Sequence, residues 1–188
     1  MAEKKLALID FDGTLYDTEA ADYAAYESAL EYYGHGMSPE FFRDECFGSY
    51  YRDFLRKPLG DDYDALIEPV HDRKMTDYPE FFGLIKENTG LVKLLEAIKD
   101  EYYLVIVSTG NRKSMEEILK FFGRRELFDE IIDQNRIAKK KPEPDAFFAA
   151  MEQFGVAPEN TIVFEDSQLG VQAAVAAGLQ YFRVEKIQ

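Results

Sequence analysis

Residues 10–14, Asp10-Phe11-Asp12-Gly13-Thr14, set two carboxylates two positions apart at the end of an apolar run, Leu6-Ala7-Leu8-Ile9. An apolar run of this length predicts a buried strand. Residues i and i+2 of a strand share a face, so Asp10 and Asp12 are expected side by side where the strand ends. Two like charges held that close are costly unless they share a cation or a proton, and such pairs cluster where chemistry is done. Asp-x-Asp-Gly also occurs as a simple turn after a strand. A calcium loop is excluded. Counted from Asp10, its sixth and twelfth places hold Leu15 and Ala21 where glycine and glutamate are required.

Three further segments carry groups that could meet this pair. Ser108-Thr109-Gly110-Asn111 and Glu165-Asp166-Ser167 each close an apolar run. Between them lies Lys139-Lys140-Lys141-Pro142-Glu143-Pro144-Asp145. Carboxylates gathered with a hydroxyl and an ammonium suit a divalent cation and a phosphate ester. Taken singly, each has a plainer reading. Ser108 would cap the next helix, Lys139 and Lys140 form a solvated charge run, and Ser167 is an N-cap. Thr14 would contact phosphate through its backbone or simply fix the turn, and Gly170 would permit close helix packing.

The elements that must position these groups read as two textures. From about Gly90 onward, helical and strand patterns alternate, as in a parallel sheet with helical crossovers. Expected helices cover Leu91–Ile98, Ser114–Phe122 (with Ser114 and Glu117 at capping-box spacing and Gly123 as the stop), Pro144–Phe154 and Ser167–Ala177. Expected strands are Tyr102–Val107, Glu130–Ile132, Thr161–Phe164 and Tyr181–Val184. From about Tyr16 to Ile85 the chain lacks long apolar runs and carries aromatics at helical spacing. Tyr23, Tyr26, Leu30 and Tyr33 share one face, which reads as core packing. Gly34-His35-Gly36 breaks that helix and Ser38-Pro39-Glu40 starts another. The fold expected is α/β: a Rossmann-like parallel sheet core with helices on both faces, formed by 1–15 and 86–188, plus an inserted α-helical cap over 16–85. In such sheets ligands bind beyond the carboxyl ends of the strands, where the candidate groups fall.

Bulk properties agree. The chain of 188 residues carries 36 acidic and 22 basic side chains, a net charge of −14. No basic patch dominates, which argues against nucleic acid as a partner. The lone cysteine, Cys46, cannot form an internal disulfide, which fits a reducing compartment. Asp10 cuts the N-terminal apolar run too short for a signal peptide or membrane span. A soluble cytoplasmic protein, monomeric or homodimeric and without a membrane partner, is expected.

Taken together, the segments resemble the haloacid dehalogenase-like hydrolase superfamily, in its phosphoglycolate phosphatase and beta-phosphoglucomutase-like branch. The matching motifs occur in order: Asp10-Phe11-Asp12-Gly13-Thr14, Ser108 closing a strand, Lys141 in Lys-Pro-Glu-Pro-Asp, and Glu165-Asp166-Ser167-Gln168-Leu169-Gly170. The resemblance spans essentially the whole chain, and the inserted helices fall where that family carries its cap. It implies Asp10 as the nucleophile and Asp12 as the general acid and then base. Ser108, Thr109 and Lys141 would bind phosphate. Mg2+ would be held by Asp10, the Asp12 backbone carbonyl and Asp166, with Glu165 helping directly or through water. An acid at position 12 favours phosphate esters over dehalogenation, because an alkoxide leaving group needs a proton. Thr14 stands where mutase relatives usually carry valine, which favours a phosphatase acting on a small phosphorylated metabolite. A phosphomutase and a non-catalytic phosphate-binding regulatory module remain as alternatives. In the insertion, Gly48, Ser49 and Arg52 are candidates for substrate contact, joined by Arg43, Lys57 and His71.

Overall fold

The structure, a computed structural model, describes residues 3–136 and 139–185. In chain order these form strands β1 (Lys5–Ile9) and β2 (Tyr16–Asp17), helix α1 (Glu19–Tyr32), a series of short helical turns over 39–62, helix α2 (Tyr63–Asp77), strand β3 (Lys86–Glu87), helix α3 (Thr89–Ile98), strand β4 (Tyr102–Val107), helix α4 (Arg112–Phe121), strand β5 (Glu130–Ile132), helix α5 (Asp145–Phe154), strand β6 (Thr161–Glu165), helix α6 (Gln168–Ala176) and strand β7 (Gln180–Arg183). The chain divides into two contact units, one of Met1–Asp17 with Lys86–Gln188 and one of Thr18–Ile85.

The first unit is a Rossmann-like parallel sheet in the order β5-β4-β1-β6-β7. β1 lies at its centre, pairing with β4 from Lys5↔Tyr102 to Ile9↔Ile106 and with β6 from Leu6↔Thr161 to Ile9↔Phe164. Leu6, Ala7, Leu8 and Ile9 are all fully buried, as a parallel strand covered on both faces requires. Leu6, Leu8, Val105, Val107 and Val163 pack with Ala146, Phe147, Ala150, Ala173 and Ala174 of α5 and α6 in one cluster. Because the strands run parallel, the residues that follow β1, β4 and β6 leave the sheet at one edge. Those residues are Asp10, Ser108 and Asp166.

Helix boundaries follow local caps. Ser167 Oγ accepts from Gly170 N at the start of α6. α4 begins earlier than its spacing suggested. Asn111 is the N-cap and its Oδ1 accepts from Ser114 N, so Ser114 lies inside the first turn rather than capping it. Asn111 takes the role because its extended backbone (φ −77°, ψ 125°) suits an N-cap.

Tyr16 and Asp17, expected in the insertion, fall in the first unit. They pair antiparallel with Lys86 and Glu87 as a two-stranded ribbon, and the Tyr16 ring is fully buried against Phe11 and Phe122. The second unit packs its own core. Tyr26, Leu30, Phe42, Phe54, Ile67 and Val70 are buried together, with Tyr23 and Tyr33 packed against them, so the aromatic face of α1 is core. Gly34, at φ +80°, ends that helix. The next helical turn starts at Pro39 with Ser38 accepting from Phe41 N.

Candidate active site

The first unit gathers the Asp10, Glu165 and Asp166 carboxylates so that one oxygen of each lies within 4.8 Å of the others. Lys141 reaches the same point from a distant part of the chain. Its Nζ donates to Asp10 Oδ1 at 2.6 Å, to Glu165 Oε2 at 2.5 Å and to the Val107 carbonyl at 3.3 Å. An ammonium has three donors, and all three are employed. The Glu165 side chain is fully buried, and its other oxygen accepts from Ser167 N at 3.0 Å and Ser167 Oγ at 2.8 Å. Its carboxylate is thus divided between Lys141 and the N-cap of α6.

Asp10 and Asp12 do not sit as adjacent strand residues. β1 ends at Ile9. Asp10 extends the ladder by donating its N–H to the Phe164 carbonyl, after which the chain turns. Gly13 adopts φ +86°, and the Leu15 and Tyr16 amides return to the Phe11 carbonyl. Asp12 therefore sits in the turn that follows the strand, close enough for its charge to act on Asp10. The Asp12 carboxylate also lies by the loop after β4: a Cβ built on Gly110 would sit 3.3 Å from both Asp12 Oδ2 and Ser108 Oγ. Ser108 is buried and its hydroxyl accepts from Gly110 N at 3.0 Å, while Thr109 is exposed.

Electrostatics at this edge are dominated by surplus negative charge. Burial is the largest cause pushing the Asp10 carboxyl up to about 8; Lys141 opposes the shift, and Glu165 and Asp12 add to it. Burial also disfavours the Lys141 ammonium, but Asp10 and Glu165 outweigh it and hold its pKa above the usual lysine range. Asp166 is raised by burial, against the hydrogen bond from Thr14 and with Glu165 adding. Three carboxylates face one ammonium. This all-oxygen, net-negative donor set matches what magnesium or calcium requires. Gly13 makes room for it, because a Cβ there would collide with the Asp166 carboxylate.

Three features escaped the sequence reading. Thr14 is fully buried and donates its hydroxyl to Asp166 Oδ1 at 2.7 Å. The Gly170 position faces the Glu165 carboxyl rather than a neighbouring helix, and a Cβ there would overlap that group. Asn88 donates to the Thr14 carbonyl at 3.1 Å, a contact across 74 positions that leaves no local trace.

In the second unit the cationic candidates each have a partner. Arg52 meets Glu68 at 2.6 Å, Arg43 meets Asp44 at 2.9 Å and Lys57 meets Glu45 at 3.2 Å. Gly48 adopts φ +80°, and the Ser49 hydroxyl donates to the Glu45 carbonyl at 3.4 Å. The His71 ring stacks on Tyr51 at 3.7 Å and 4°, and its Nδ1 lies 2.9 Å from the Tyr26 hydroxyl. A further ion pair, Lys74 with Asp22 at 2.5 Å, leaves the lysine side chain almost wholly buried.

A parallel sheet that delivers an aspartate nucleophile candidate, a lysine and a second acidic loop to one edge defines a class of hydrolase. The chain belongs to the haloacid dehalogenase-like hydrolases, whose family model matches residues 7–184. It is 30% identical over 180 residues to the phosphorylated carbohydrates phosphatase of Thermotoga maritima, covering 92% of this chain and 81% of that one. It is 27% identical over 183 residues to the fructose-1-phosphate phosphatase YqaB of Escherichia coli, covering 95% and 96%. Among solved structures, a candidate beta-phosphoglucomutase from Thermotoga maritima superposes with a TM-score of 0.80 at 28% identity, covering 98% of this chain and 87% of that one. CbbY from Rhodobacter sphaeroides, in complex with phosphate, gives a TM-score of 0.82 at 24% identity over the same shares; at that identity the likeness is one of fold.

Proposed function

We propose that this chain is a magnesium-dependent phosphatase that hydrolyses a small phosphorylated metabolite through an aspartyl-phosphate on Asp10. The observation that carries the reading is the Asp10 carboxylate, held 2.6 Å from Lys141 Nζ and gathered with Glu165 and Asp166 at the strand ends. Relatives named as phosphatases of sugar phosphates, and of pyrophosphate in the PpaX proteins, support it. Membership of the haloacid dehalogenase-like hydrolases fits this reading.

Asp10 and Asp166 are the side chains assigned to the cation, with the Asp12 carbonyl as a further oxygen and Glu165 helping directly or through water. When bound, magnesium would neutralise phosphate charge and polarise the phosphoryl group. An Asp10 oxygen forms a bond to phosphorus as the bond from phosphorus to the ester oxygen breaks, and Asp12 gives its proton to the departing oxygen. Asp12, now a carboxylate, takes a proton from water as that water attacks phosphorus and releases Asp10. The place of its carboxylate beside Gly110 and Ser108, outside the group of three, suits this proton-transfer role. Lys141 and Ser108 hold phosphoryl oxygens, with the amides around Thr109 as further donors. The unit of 18–85 acts as the cap and supplies substrate choice, with Gly48, Ser49 and Arg52 as its contacting residues.

A phosphomutase uses the same groups and passes the phosphoryl unit to a sugar hydroxyl. Its support is the structural likeness to the candidate beta-phosphoglucomutase. Thr14 favours the phosphatase, since it stands where mutase relatives usually carry valine. The test is magnesium-dependent hydrolysis of an aryl phosphate and of a panel of sugar phosphates. Free phosphate is expected, and Asp10→Asn should lower turnover by at least about 1,000-fold, the scale on which removing a nucleophile acts. Undiminished hydrolysis by Asp10→Asn defeats the nucleophile assignment. Isomerised sugar phosphate without released phosphate defeats the phosphatase.

A further inference from the structure

Asn88 occupies an unusual junction. It directly follows β3, the strand on which the chain returns to the first unit, and it makes three connections at once. Its Oδ1 accepts from Leu91 N at 3.1 Å and caps α3. Its own N–H donates to the Leu15 carbonyl at 2.9 Å. Its Nδ2 donates to the Thr14 carbonyl at 3.1 Å. Thr14 in turn donates its hydroxyl to Asp166 Oδ1 at 2.7 Å.

We propose that Asn88 is a positioning residue for the cation site, holding Thr14 in the orientation that fixes the Asp166 carboxylate through a continuous path from Asn88 Nδ2 to Asp166 Oδ1. This inference rests on the magnesium reading above. A helix cap needs only the acceptor Oδ1, which serine or aspartate also supplies. The donor Nδ2 adds nothing to the cap and is spent wholly on the loop that carries Asp12 and Thr14. A buried carbonyl such as that of Thr14 requires a donor. Without it the Thr14–Leu15 peptide keeps only the bond from Leu15 N–H to the Phe11 carbonyl, so its carbonyl side can tilt and draw the neighbouring hydroxyl off its line to Asp166. Groups that orient a ligating carboxylate are commonly worth 10- to 100-fold in metal affinity. Asn88 acts one step further out, so about 3- to 10-fold is expected.

The experiment is calorimetric titration of the apo protein with Mg2+ alone, beside thermal melts, for the unaltered chain, Asn88→Ser and Asn88→Asp. Both substitutions keep a cap acceptor and remove the amide Nδ2 that reaches the Thr14 carbonyl, so melting should fall modestly as that buried acceptor loses its partner. The aspartate adds negative charge near the cation, which by itself tightens binding. Weaker Mg2+ binding by both variants, each still melting cooperatively and only modestly earlier, is the expected result and separates orientation from charge and from loss of the fold. Thr14→Val should weaken binding by itself, and adding Asn88→Ser to it should then cost little more, because one path is interrupted twice. Binding by Asn88→Ser and Asn88→Asp as tight as in the unaltered chain overturns the inference while leaving the magnesium reading intact. Fully additive losses in the double variant also overturn it. Absence of Mg2+ binding by the unaltered chain removes the reading and the inference together.

Discussion

Lys141 illustrates how one side chain organises the site. Its ammonium is almost entirely buried between Asp10 and Glu165, where an unpaired charge would be prohibitive. All its donors are occupied, so contact with a phosphoryl oxygen requires exchanging one of them, and the Val107 carbonyl at 3.3 Å is the longest of the three. Glu165 is locked from the other side by Ser167, and Gly170 is what leaves space for its carboxyl. Gly170→Ala would place a methyl group on that carboxyl and force Glu165 away from Lys141 and Ser167. Overpacking and broken charge-assisted bonds together should cost about 2 to 4 kcal/mol. Hydrolysis should fall by at least about tenfold as Lys141 loses its second partner. Gly36→Ala is the control, since nothing lies within 4 Å of its Cβ, and it should stay within about 0.5 kcal/mol. Melting curves and turnover of the two variants, measured side by side, decide the point. Equal behaviour would deny Gly170 this role.

At the scale of elements, the central strands β1 and β4 were readable because burial on both faces leaves an uninterrupted apolar run, as in Leu6–Ile9 and Leu104–Val107, whereas the two-residue strands β2 and β3 carry no such run. The motif residues were readable by type, but their partners were not. Lys141 meets Asp10 across 131 positions and Thr14 meets Asp166 across 152, separations at which local pattern carries no information. Past the end of β1 the alternation rule gave the nearness of Asp12 to Asp10, whose charges act on one another, but not the turn that also brings the Asp12 carboxylate to Gly110. In the helical unit, spacing identified the aromatic face of α1 but not the side-chain chain it starts, from Tyr26 to His71 to Tyr51. His71 has a testable consequence. Burial first, then the nearby Lys74, lowers its pKa from 6.5 to about 4, with Asp72 and Glu68 opposing. The folded form therefore resists a proton that the unfolded chain accepts. Stability contributed by neutral His71 is complete above pH 6.5 and is lost as pH falls from there toward 4. The full shift corresponds to at most about 3 kcal/mol, reduced by solvent screening because the ring is only partly buried. Urea unfolding at pH 7 and pH 4.5 should show a smaller acid-induced loss for His71→Gln than for the unaltered chain. Identical pH slopes would show that His71 is not the titrating group.

For the whole molecule, charge sets the terms on which substrate and cation arrive. A net charge of −14 surrounds a site that is itself acidic, so the long-range field repels a phosphate dianion and attracts a divalent cation. Both effects are screened by salt. Raising ionic strength from 20 to 200 mM shortens the Debye length from roughly 20 Å to roughly 7 Å. Screening should therefore move two measured quantities in opposite directions from one cause. With magnesium held saturating, kcat/KM for an anionic substrate should rise by about two- to fivefold, because encounter of like charges is relieved. The apparent affinity for Mg2+ should fall over the same range. A general effect of salt on folding or on the chemical step would move turnover itself. The field instead acts on encounter and binding, so kcat should hold nearly constant. Titrating NaCl against an inert osmolyte of matched osmolarity separates ionic strength from water activity. A fall in kcat/KM with salt at saturating magnesium would mean that a local cationic surface, rather than the net field, governs how substrate reaches the strand ends.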